Sequence, residues 1–395
     1  MEGCSFMISF ACSEDEQSLL DTLGRFAQNQ LMPDARAADR RQSVDPAVRG
    51  AYREMGAHLL GLPDAAGGIG FGLTAKILAE EVLSRSDAAQ AVGLDDLGLA
   101  AQAVVALGSE AQITQLLGDA ERIWALASSE DDPAAHLGYM STVARRQGQG
   151  DVLSGTKTCV FNANRADRLV VLARHEDGDG LAGIAAFVVD ARASGVQITL
   201  EDRMGLRAGQ PCRVQFEGVA GERLVGAADP VAALTRLFDI GRVINAARMV
   251  GAARGAMGFA VDYAQDRKAF GKPICAHQGL AFFIADMEVA LESARNLVLK
   301  AAWQLESGAG ATVAACNAAI CAAEAAVKVT VDAVQVFGGA GFMKDMPVER
   351  YMRDVRTLGN ALGTPEDHLA VLGEVLYGPE SLKSAAKDGK KVAQA

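Results

Sequence analysis

Three long helical patterns in the second half of the chain constrain its fold most strongly. They cover residues 231–264, 277–306 and 311–337, and in the second of them apolar residues recur at the spacing of one buried helical face. Helices of roughly 27–34 residues are about 40–50 Å long at about 1.5 Å per residue. Such helices bury their apolar faces by packing antiparallel, and the abundant Ala and Gly residues permit close approach.

The first half of the chain holds a helical region and then a β region. Ser13 and Glu16 form a predicted capping box before the first amphipathic helix, and further helical segments are predicted near 46–59, 73–86 and 87–119. Short β-type runs separated by turn residues follow, at 124–126, 151–153, 168–172, 185–189, 196–200 and 214–216.

This order predicts an α+β protein with several domains. We expect an N-terminal helical domain at 1–120, a middle β-barrel or β-sandwich domain at 121–228, and a C-terminal four-helix-bundle domain at 229–380. The Lys-containing tail at 381–395 is predicted to be disordered. A glycine-rich segment at 67–72 superficially matches a dinucleotide-binding fingerprint, but no strand precedes it, so we expect a connecting loop.

Composition excludes several classes of function. The net charge of −11 argues against nucleic acid or an anionic membrane as partner. We expect no run of apolar residues to reach the length of about 18–20 residues that is needed to span a bilayer. Seven scattered cysteines form no metal-binding pattern, which indicates reduced thiols, no metal site and a cytoplasmic protein.

Two motifs near the C-terminus carry the functional information. The first is Arg267-Lys268-Ala269-Phe270-Gly271-Lys272-Pro273-Ile274, followed by His277-Gln278. The second is Gln335-Val336-Phe337-Gly338-Gly339-Ala340-Gly341, with Pro347-Val348-Glu349-Arg350 and Met352-Arg353-Asp354 behind it. Guanidinium groups and glycine amides suit a pyrophosphate. Either motif alone is equally compatible with a helix C-cap or an ordinary turn.

Together, and in this order, the motifs resemble those of the acyl-CoA dehydrogenase family over about residues 13–377. The resemblance implies that family's fold, a dimer or tetramer, FAD as cofactor, desaturation of an acyl-CoA thioester, and an electron-transfer acceptor. The residues that it implies for FAD are Arg267, Phe270, His277, Gln278, Gln335, Gly338, Gly339 and Thr364. Those that it implies for the acyl-CoA ester are Asp239 and Arg242.

The resemblance fails at the catalytic base. Desaturation needs a group that takes the α-proton while a hydride passes to the flavin. The family places a Glu just before a Gly-Thr pair or on the helix that opens the C-terminal domain, and here these positions are Leu362 and Gly241. Glu366 and Asp239 are interpreted as surface or binding residues rather than substitute bases. No catalytic residue is therefore predicted in this chain.

The two motif-region histidines, His277 and His368, are expected to contact a flavin phosphate or to be solvated rather than to act in acid–base chemistry. The β region departs from the family as well. The loop that lines flavin and pantetheine reads Ser129-Glu130-Asp131-Asp132-Pro133-Ala134-Ala135-His136, without the family's glycines. The strand that packs on the flavin ring reads Cys159-Val160-Phe161, in which Phe161 replaces a hydrogen-bonding Thr and Cys159 is interpreted as a small buried hydrophobe. Such a site is expected to bind flavin poorly.

Residues that serve the chain's own flavin and base are thus degraded, whereas Arg267, Phe270 and Gln278 match positions that reach a neighbouring subunit's FAD. The pattern resembles the base-free subunit of heterotetrameric, steroid side-chain type acyl-CoA dehydrogenases, in which a homologous partner completes an α2β2 assembly. Two alternatives stay open: a self-sufficient enzyme of altered, lyase-type chemistry, and a non-catalytic interaction protein. The sequence does not identify the acyl group.

Overall fold

The computed structural model describes residues 10–131, 138–175, 178 and 180–378. The predicted tail at 381–395 lies outside these residues. The order of elements is helical, then β, then helical, so the predicted fold class is confirmed.

The N-terminal region, as far as the structure describes it, contains six α-helices. They are α1 Glu14–Phe26, α2 Met32–Arg41, α3 Pro46–Glu54, α4 Leu73–Leu94, α5 Gly98–Leu107 and α6 Glu110–Leu117. Capping side chains mark the starts of α1, α3 and α6. The Ser13 hydroxyl accepts the Glu16 N–H at 3.2 Å, and the Glu16 carboxylate accepts the Ser13 N–H at 2.8 Å, which confirms the capping box. The glycine-rich segment is a connection to α4, as predicted.

Helix α4 is broken at Asp87, where the backbone is extended (φ −163°, ψ 109°). The Asp87 carboxylate accepts the Gln90 N–H at 2.8 Å and so caps the second half of the helix. The break coincides with the predicted boundary between the helical segments at 73–86 and 87–119.

The middle region is a closed β-barrel with two additional strands. Its strands are β1 Trp124–Ala127, β2 Val143–Gln147, β3 Gly150–Phe161, β4 Arg168–His175, β5 Ile184–Asp190, β6 Val196–Leu200 and β7 Pro211–Arg223. Pairings run from β4 through β2, β3, β7 and β5 back to β4, while β1 joins β4 and β6 joins β7. The sequence analysis missed β2, in which only Ala144 is buried and Arg145, Arg146 and Gln147 are exposed.

The C-terminal region is a bundle of long helices. It comprises α7 Pro230–Asp266, a hairpin of β8 Lys268–Ala269 and β9 Lys272–Pro273, α8 Gln278–Glu306, α9 Thr312–Phe337, α10 Val348–Leu358 and α11 Pro365–Tyr377. The largest core cluster lies among α4 and α7–α10 and consists mainly of Ala, Val, Leu and Ile. The glycine cluster after α9 forms a short 3-10 helix at Gly338–Phe342.

One sequence prediction about apolar runs is wrong. By length and composition, the helical stretch Thr312–Phe342 is apolar enough to cross a bilayer. Half of its most apolar part is buried against the rest of the protein, and the core helix of a bundle meets the same criterion.

Candidate active-site cavity

A cavity lies where the three regions meet. Its walls come from the α4–α5 junction, from β1 and β3 of the barrel, from α7, and from the segment between α10 and α11. The cavity is partly open to solvent, and its volume is about 80 Å³. Since one water-sized group needs about 10–15 Å³ by this measure, the cavity has room for roughly five to eight such groups.

The two positions expected to carry the catalytic base meet at this cavity. Leu362 lines it, and a Cβ built on Gly241 would lie 2.9 Å from Cδ1 of Leu362 and 3.0 Å from Cδ1 of Leu99. The wall formed by these residues is aliphatic. It holds no group that could accept a proton.

Asp95 is the one carboxylate among the described residues that line the cavity. Lys76 Nζ lies 2.9 Å from its Oδ1, and Arg248 Nη2 lies 2.7 Å from its Oδ2. Burial alone would raise the pKa of Asp95, but the two cations outweigh it and hold the pKa at about 2. A carboxylate with so low a pKa is a weak general base at neutral pH.

The other carboxylates considered in the sequence analysis do not line the cavity. Asp239 is buried; it accepts hydrogen bonds from Arg242 Nη1 and Thr312 Oγ1, both at 2.7 Å. Burial raises the pKa of Asp239 against the opposing effect of these two partners. Arg242 is buried as well. The contact of Asp239 and Arg242 with the acyl-CoA ester stays a prediction. Glu366 is exposed at the start of α11.

The expectation that His368 is solvated is wrong. It is buried, 5% exposed, and its Nδ1 lies 3.3 Å from Nε of Arg242. Because an arginine can only donate, Nδ1 of His368 is the acceptor in this pair.

Six of the eight residues predicted to contact FAD are exposed, His277 and Thr364 are partly buried, and none of the eight lines the cavity. Arg267, Phe270 and Gln278 are exposed, and Phe270 is 96% exposed on the β8–β9 hairpin. Phe270 adopts a left-handed backbone (φ 53°), and its ring meets the edge of the His277 ring at 6.1 Å between centroids. Nε2 of His277 lies 3.2 Å from the carbonyl oxygen of Ala269.

The second predicted FAD-binding group is at the end of α9. Gln335, Gly338 and Gly339 are exposed, and a Cβ on either glycine would meet no atom within 4 Å. The surface above these glycines is therefore open. Thr364 instead caps α11, where its hydroxyl accepts the Asp367 N–H at 3.3 Å.

The barrel contributes Ser129, Cys159 and Phe161 to the cavity. Cys159, interpreted as a small buried hydrophobe, is half-buried, and its backbone is left-handed (φ 53°) where the strand is irregular. Burial raises the pKa of its thiol to about 11, so the thiolate is scarce at neutral pH. Of the altered loop, the segment 132–137 lies outside the described residues.

Glu130 links neighbouring segments of the barrel through hydrogen bonds. Its carboxylate accepts hydrogen bonds from Lys157 Nζ, Thr142 N and Ser141 N at 2.6–2.9 Å. Burial opposes ionisation of Glu130, but these partners hold its pKa at about 2. Burial in turn lowers the pKa of Lys157 to about 8 against the attraction of Glu130.

The chain's own cavity does not fit an isoalloxazine. This group has three fused rings, whereas typical ligand pockets measure about 300–1,000 Å³ and this cavity about 80 Å³. The Phe161 ring also lines the wall where the resemblance placed a flavin-bonding hydroxyl. The exposed residues that are predicted to contact FAD, by contrast, are accessible to a second molecule.

Sequence reasoning missed the polar end of the cavity. Arg248 and Asn245 line it from α7, and Asp95 lines it from the end of α4. The available signal was a charged residue within the Ala-rich buried face of a long helix, where a charge needs a partner. No described group of three or more His, Cys, Asp or Glu side chains could hold a metal ion.

Comparisons with known proteins match successive parts of the chain to domains of one family. Models of the acyl-CoA dehydrogenase N-terminal, middle and C-terminal domains match residues 13–120, 125–219 and 231–377. A short-chain specific acyl-CoA dehydrogenase of Clostridium acetobutylicum is 34% identical over 382 residues, which cover 93% of this chain and all of that protein.

Solved structures show the same likeness. Butyryl-CoA dehydrogenase from Megasphaera elsdenii superposes with a TM-score of 0.86 at 30% identity, covering 93% of this chain and all of the other. A glutaryl-CoA dehydrogenase from Mycobacterium smegmatis, solved in complex with FADH2, has a TM-score of 0.84 at 22% identity, covering 93% and 95% of the two chains.

Proposed function

Since the chain belongs to the acyl-CoA dehydrogenase family, we propose that it is a subunit of an FAD-dependent enzyme that desaturates acyl-CoA thioesters, and that a homologous partner subunit carries out the desaturation. In this proposal the chain lends FAD-contacting residues across the interface of an α2β2 assembly. Electrons leave the assembly through an electron-transfer acceptor, as the family resemblance implies.

The aliphatic wall at Leu362 and Gly241 carries the proposal. Both family base positions meet there, and neither holds a proton acceptor. Of the described carboxylates, the one that lines the cavity is Asp95, which Lys76 and Arg248 already engage. A flavin at this site would have no adjacent base to remove the α-proton.

The exposed residues that are predicted to contact FAD support a contact with the FAD of a partner subunit. Arg267, Phe270 and Gln278 lie on and beside the β8–β9 hairpin, and the 96% exposed ring of Phe270 is accessible to a second subunit. A guanidinium at Arg267 suits a pyrophosphate bound on another subunit, and the exposed Gly338 and Gly339, above which no atom lies within 4 Å of a Cβ position, leave room for close approach.

A short acyl chain suits the proposal better than a steroid. The Clostridium relative, which is 34% identical, is specific for short acyl chains. We therefore propose a short-chain acyl-CoA as the substrate of the assembly.

Expression alone and with a partner tests the proposal. The chain purified alone should be colourless and inactive on butyryl-CoA, whereas coexpression with a family member that has the Glu at the Leu362 position should give a yellow, active complex. A flavin-bound, active enzyme obtained from this chain alone would refute it. A partner that never copurifies would favour a non-catalytic interaction protein.

Arg267→Ala tests the lending role within such a complex. We expect flavin occupancy, measured from absorbance at 450 nm against protein, to fall although the flavin lies mainly on the partner. Arg192→Ala, at an 81% exposed arginine of the barrel, is the matched control and should keep full occupancy. Equal occupancy in the two variants would contradict a cross-interface contact.

A further inference from the structure

One face of α7 runs along the cavity from an aliphatic end to a polar end. Gly241, Asn245 and Arg248 have the i, i+4, i+7 spacing of a single helical face. Gly241 contacts Leu362, while Asn245 and Arg248 line the cavity directly. Seven residues correspond to about 10 Å along the helix axis, so the two ends are about 10 Å apart.

Two hydrogen bonds fix the guanidinium of Arg248, but one of its nitrogens has no partner among the described residues. Its Nε donates to Glu80 Oε2 and its Nη2 donates to Asp95 Oδ2, both at 2.7 Å. No described residue bonds to Nη1, and this nitrogen is not sealed from solvent. Because Arg248 is only 8% exposed and lines the cavity, Nη1 is a hydrogen-bond donor that faces the interior.

Asn245 offers the complementary group. Its Nδ2 donates to the carbonyl oxygens of Leu358 and Ala361, at 2.6 and 3.2 Å. These two acceptors fix the orientation of the amide, so the carbonyl oxygen Oδ1 points away from them. No described residue donates to Oδ1, and it is likewise not sealed from solvent. A buried acceptor thus lies one helical turn from the donor on Arg248.

The charges around this end cancel. Two cations, Lys76 and Arg248, are interlocked with two acidic side chains, Glu80 and Asp95, through contacts of 2.7–2.9 Å. A ligand carboxylate would add an uncompensated negative charge beside Asp95 in a poorly solvated site. A methyl group would leave the donor and the acceptor unpaired. A hydroxyl satisfies both, because it accepts from Nη1 and donates to Oδ1.

We propose that this cavity binds a short acyl-CoA whose chain carries a hydroxyl group at its far end, with Arg248 and Asn245 as the residues that determine specificity. The thioester end lies beside Leu362 and the hydroxyl lies at the polar end. The inference rests on the proposed function only for the acyl-CoA nature of the ligand. Binding of the ligand does not require this chain to catalyse its oxidation, so the proposed site holds whichever subunit performs the desaturation.

Three four-carbon probes that differ only at the chain end test the inference. They are butyryl-CoA, 4-hydroxybutyryl-CoA and succinyl-CoA, titrated into the purified chain or its complex with calorimetry and with the fluorescence of Trp124, which lines the cavity. We expect the hydroxyl ester to bind at least about tenfold more tightly than either of the others, as for a hydrogen bond to a charged group.

Two variants separate specificity from stability, because the ratio of affinities is read within one protein. Arg248→Lys keeps the charge but loses the forked guanidinium, and the preference for hydroxyl over methyl should fall to less than about threefold. Arg254→Lys, on the same helix but paired with Glu288 and Glu292 away from the cavity lining, should keep the preference.

The remaining outcomes each decide against the inference. Tightest binding of butyryl-CoA would show that the polar end is not used, and tightest binding of succinyl-CoA would make it a carboxylate site. No binding of any probe at millimolar concentration would remove the acyl site altogether. Oxidation of butyryl-CoA by the chain alone would refute the proposed function, yet the preference for the hydroxyl ester could still be measured.

Discussion

Substituting alanine for Gly251 tests the helix contact that builds the polar end of the cavity. A Cβ at Gly251 on α7 would lie 2.1 Å from the backbone carbonyl oxygen of Glu81 on α4. One turn later, a Cβ at Gly255 would lie 2.2 Å from the carbonyl oxygen of Arg85. Non-bonded carbon contacts are normally near 3.5–4.0 Å, so the two helices would have to separate by about 1 Å or more.

The magnitude follows from two opposing effects. Overpacking a well-filled contact costs about 1–3 kcal/mol and sometimes more, and here the obstacle is helical backbone rather than a flexible side chain. Alanine in place of glycine returns up to about 1 kcal/mol through helix propensity. Separation of the helices also stretches the buried 2.7 Å pair between Arg248 and Glu80. We expect a net loss of about 2 kcal/mol in the free energy of unfolding.

Urea denaturation followed by circular dichroism measures this loss as a lower midpoint at an unchanged slope. Gly258→Ala is the matched control on the same helix, because a Cβ there meets nothing within 4 Å. It should raise stability by up to about 1 kcal/mol. A Gly251→Ala protein as stable as the Gly258→Ala protein would refute the close approach of α4 and α7.

Two further predictions concern buried charges. Lys157→Met should lower the free energy of unfolding by about 3–5 kcal/mol, because Glu130 keeps a buried charge without its cation. Arg192→Met, at an 81% exposed arginine whose partner Asp167 is itself partly exposed, should change it by less than about 0.5 kcal/mol. Equal effects of the two substitutions in urea denaturation would contradict a stabilising role of the Lys157–Glu130 pair. Burial raises the pKa of Asp354 to about 7, so the folded state holds a proton that the unfolded chain has lost, and stability falls as pH rises between about 4 and 7. Asp354→Asn, whose amide oxygen can still accept the Leu206 N–H, should flatten the pH profile of unfolding in that window; an unchanged slope would refute this assignment.

The fold was predictable where burial dictates a periodic pattern. Helices α7, α8 and α9 begin and end within two residues of their predicted bounds, because long buried faces leave a clear 3.6-residue repeat. The break at Asp87 was also placed correctly. Strand β2 was missed because three of its five residues are exposed and charged or polar, which is the pattern of a loop.

The site was predictable only in part. Surface motifs around Arg267 and Gly338 stand out because they are compact in sequence. The polar end of the cavity does not, because Arg248 and its partner Asp95 are separated by 153 residues. Such a pairing depends on how α4 crosses α7, which the helical pattern of either segment leaves undetermined. The contact between Gly241 and Leu362 likewise appears only once the bundle is assembled.

The contrast between the two ends of α7 argues against a cavity that is merely vestigial. A buried network of four charges is weak as a source of stability, since well-packed apolar residues in its place are often equally or more stabilising. If the cavity only filled space, an apolar end like the one at Leu362 and Gly241 would serve throughout. The end at Arg248 instead presents a donor and an acceptor that no described residue uses, Nη1 of Arg248 and Oδ1 of Asn245, and a ligand in the cavity can bond to both. Loss of the base and presence of this polar end are therefore best explained together, by a site that binds an acyl group and leaves the proton transfer to a partner.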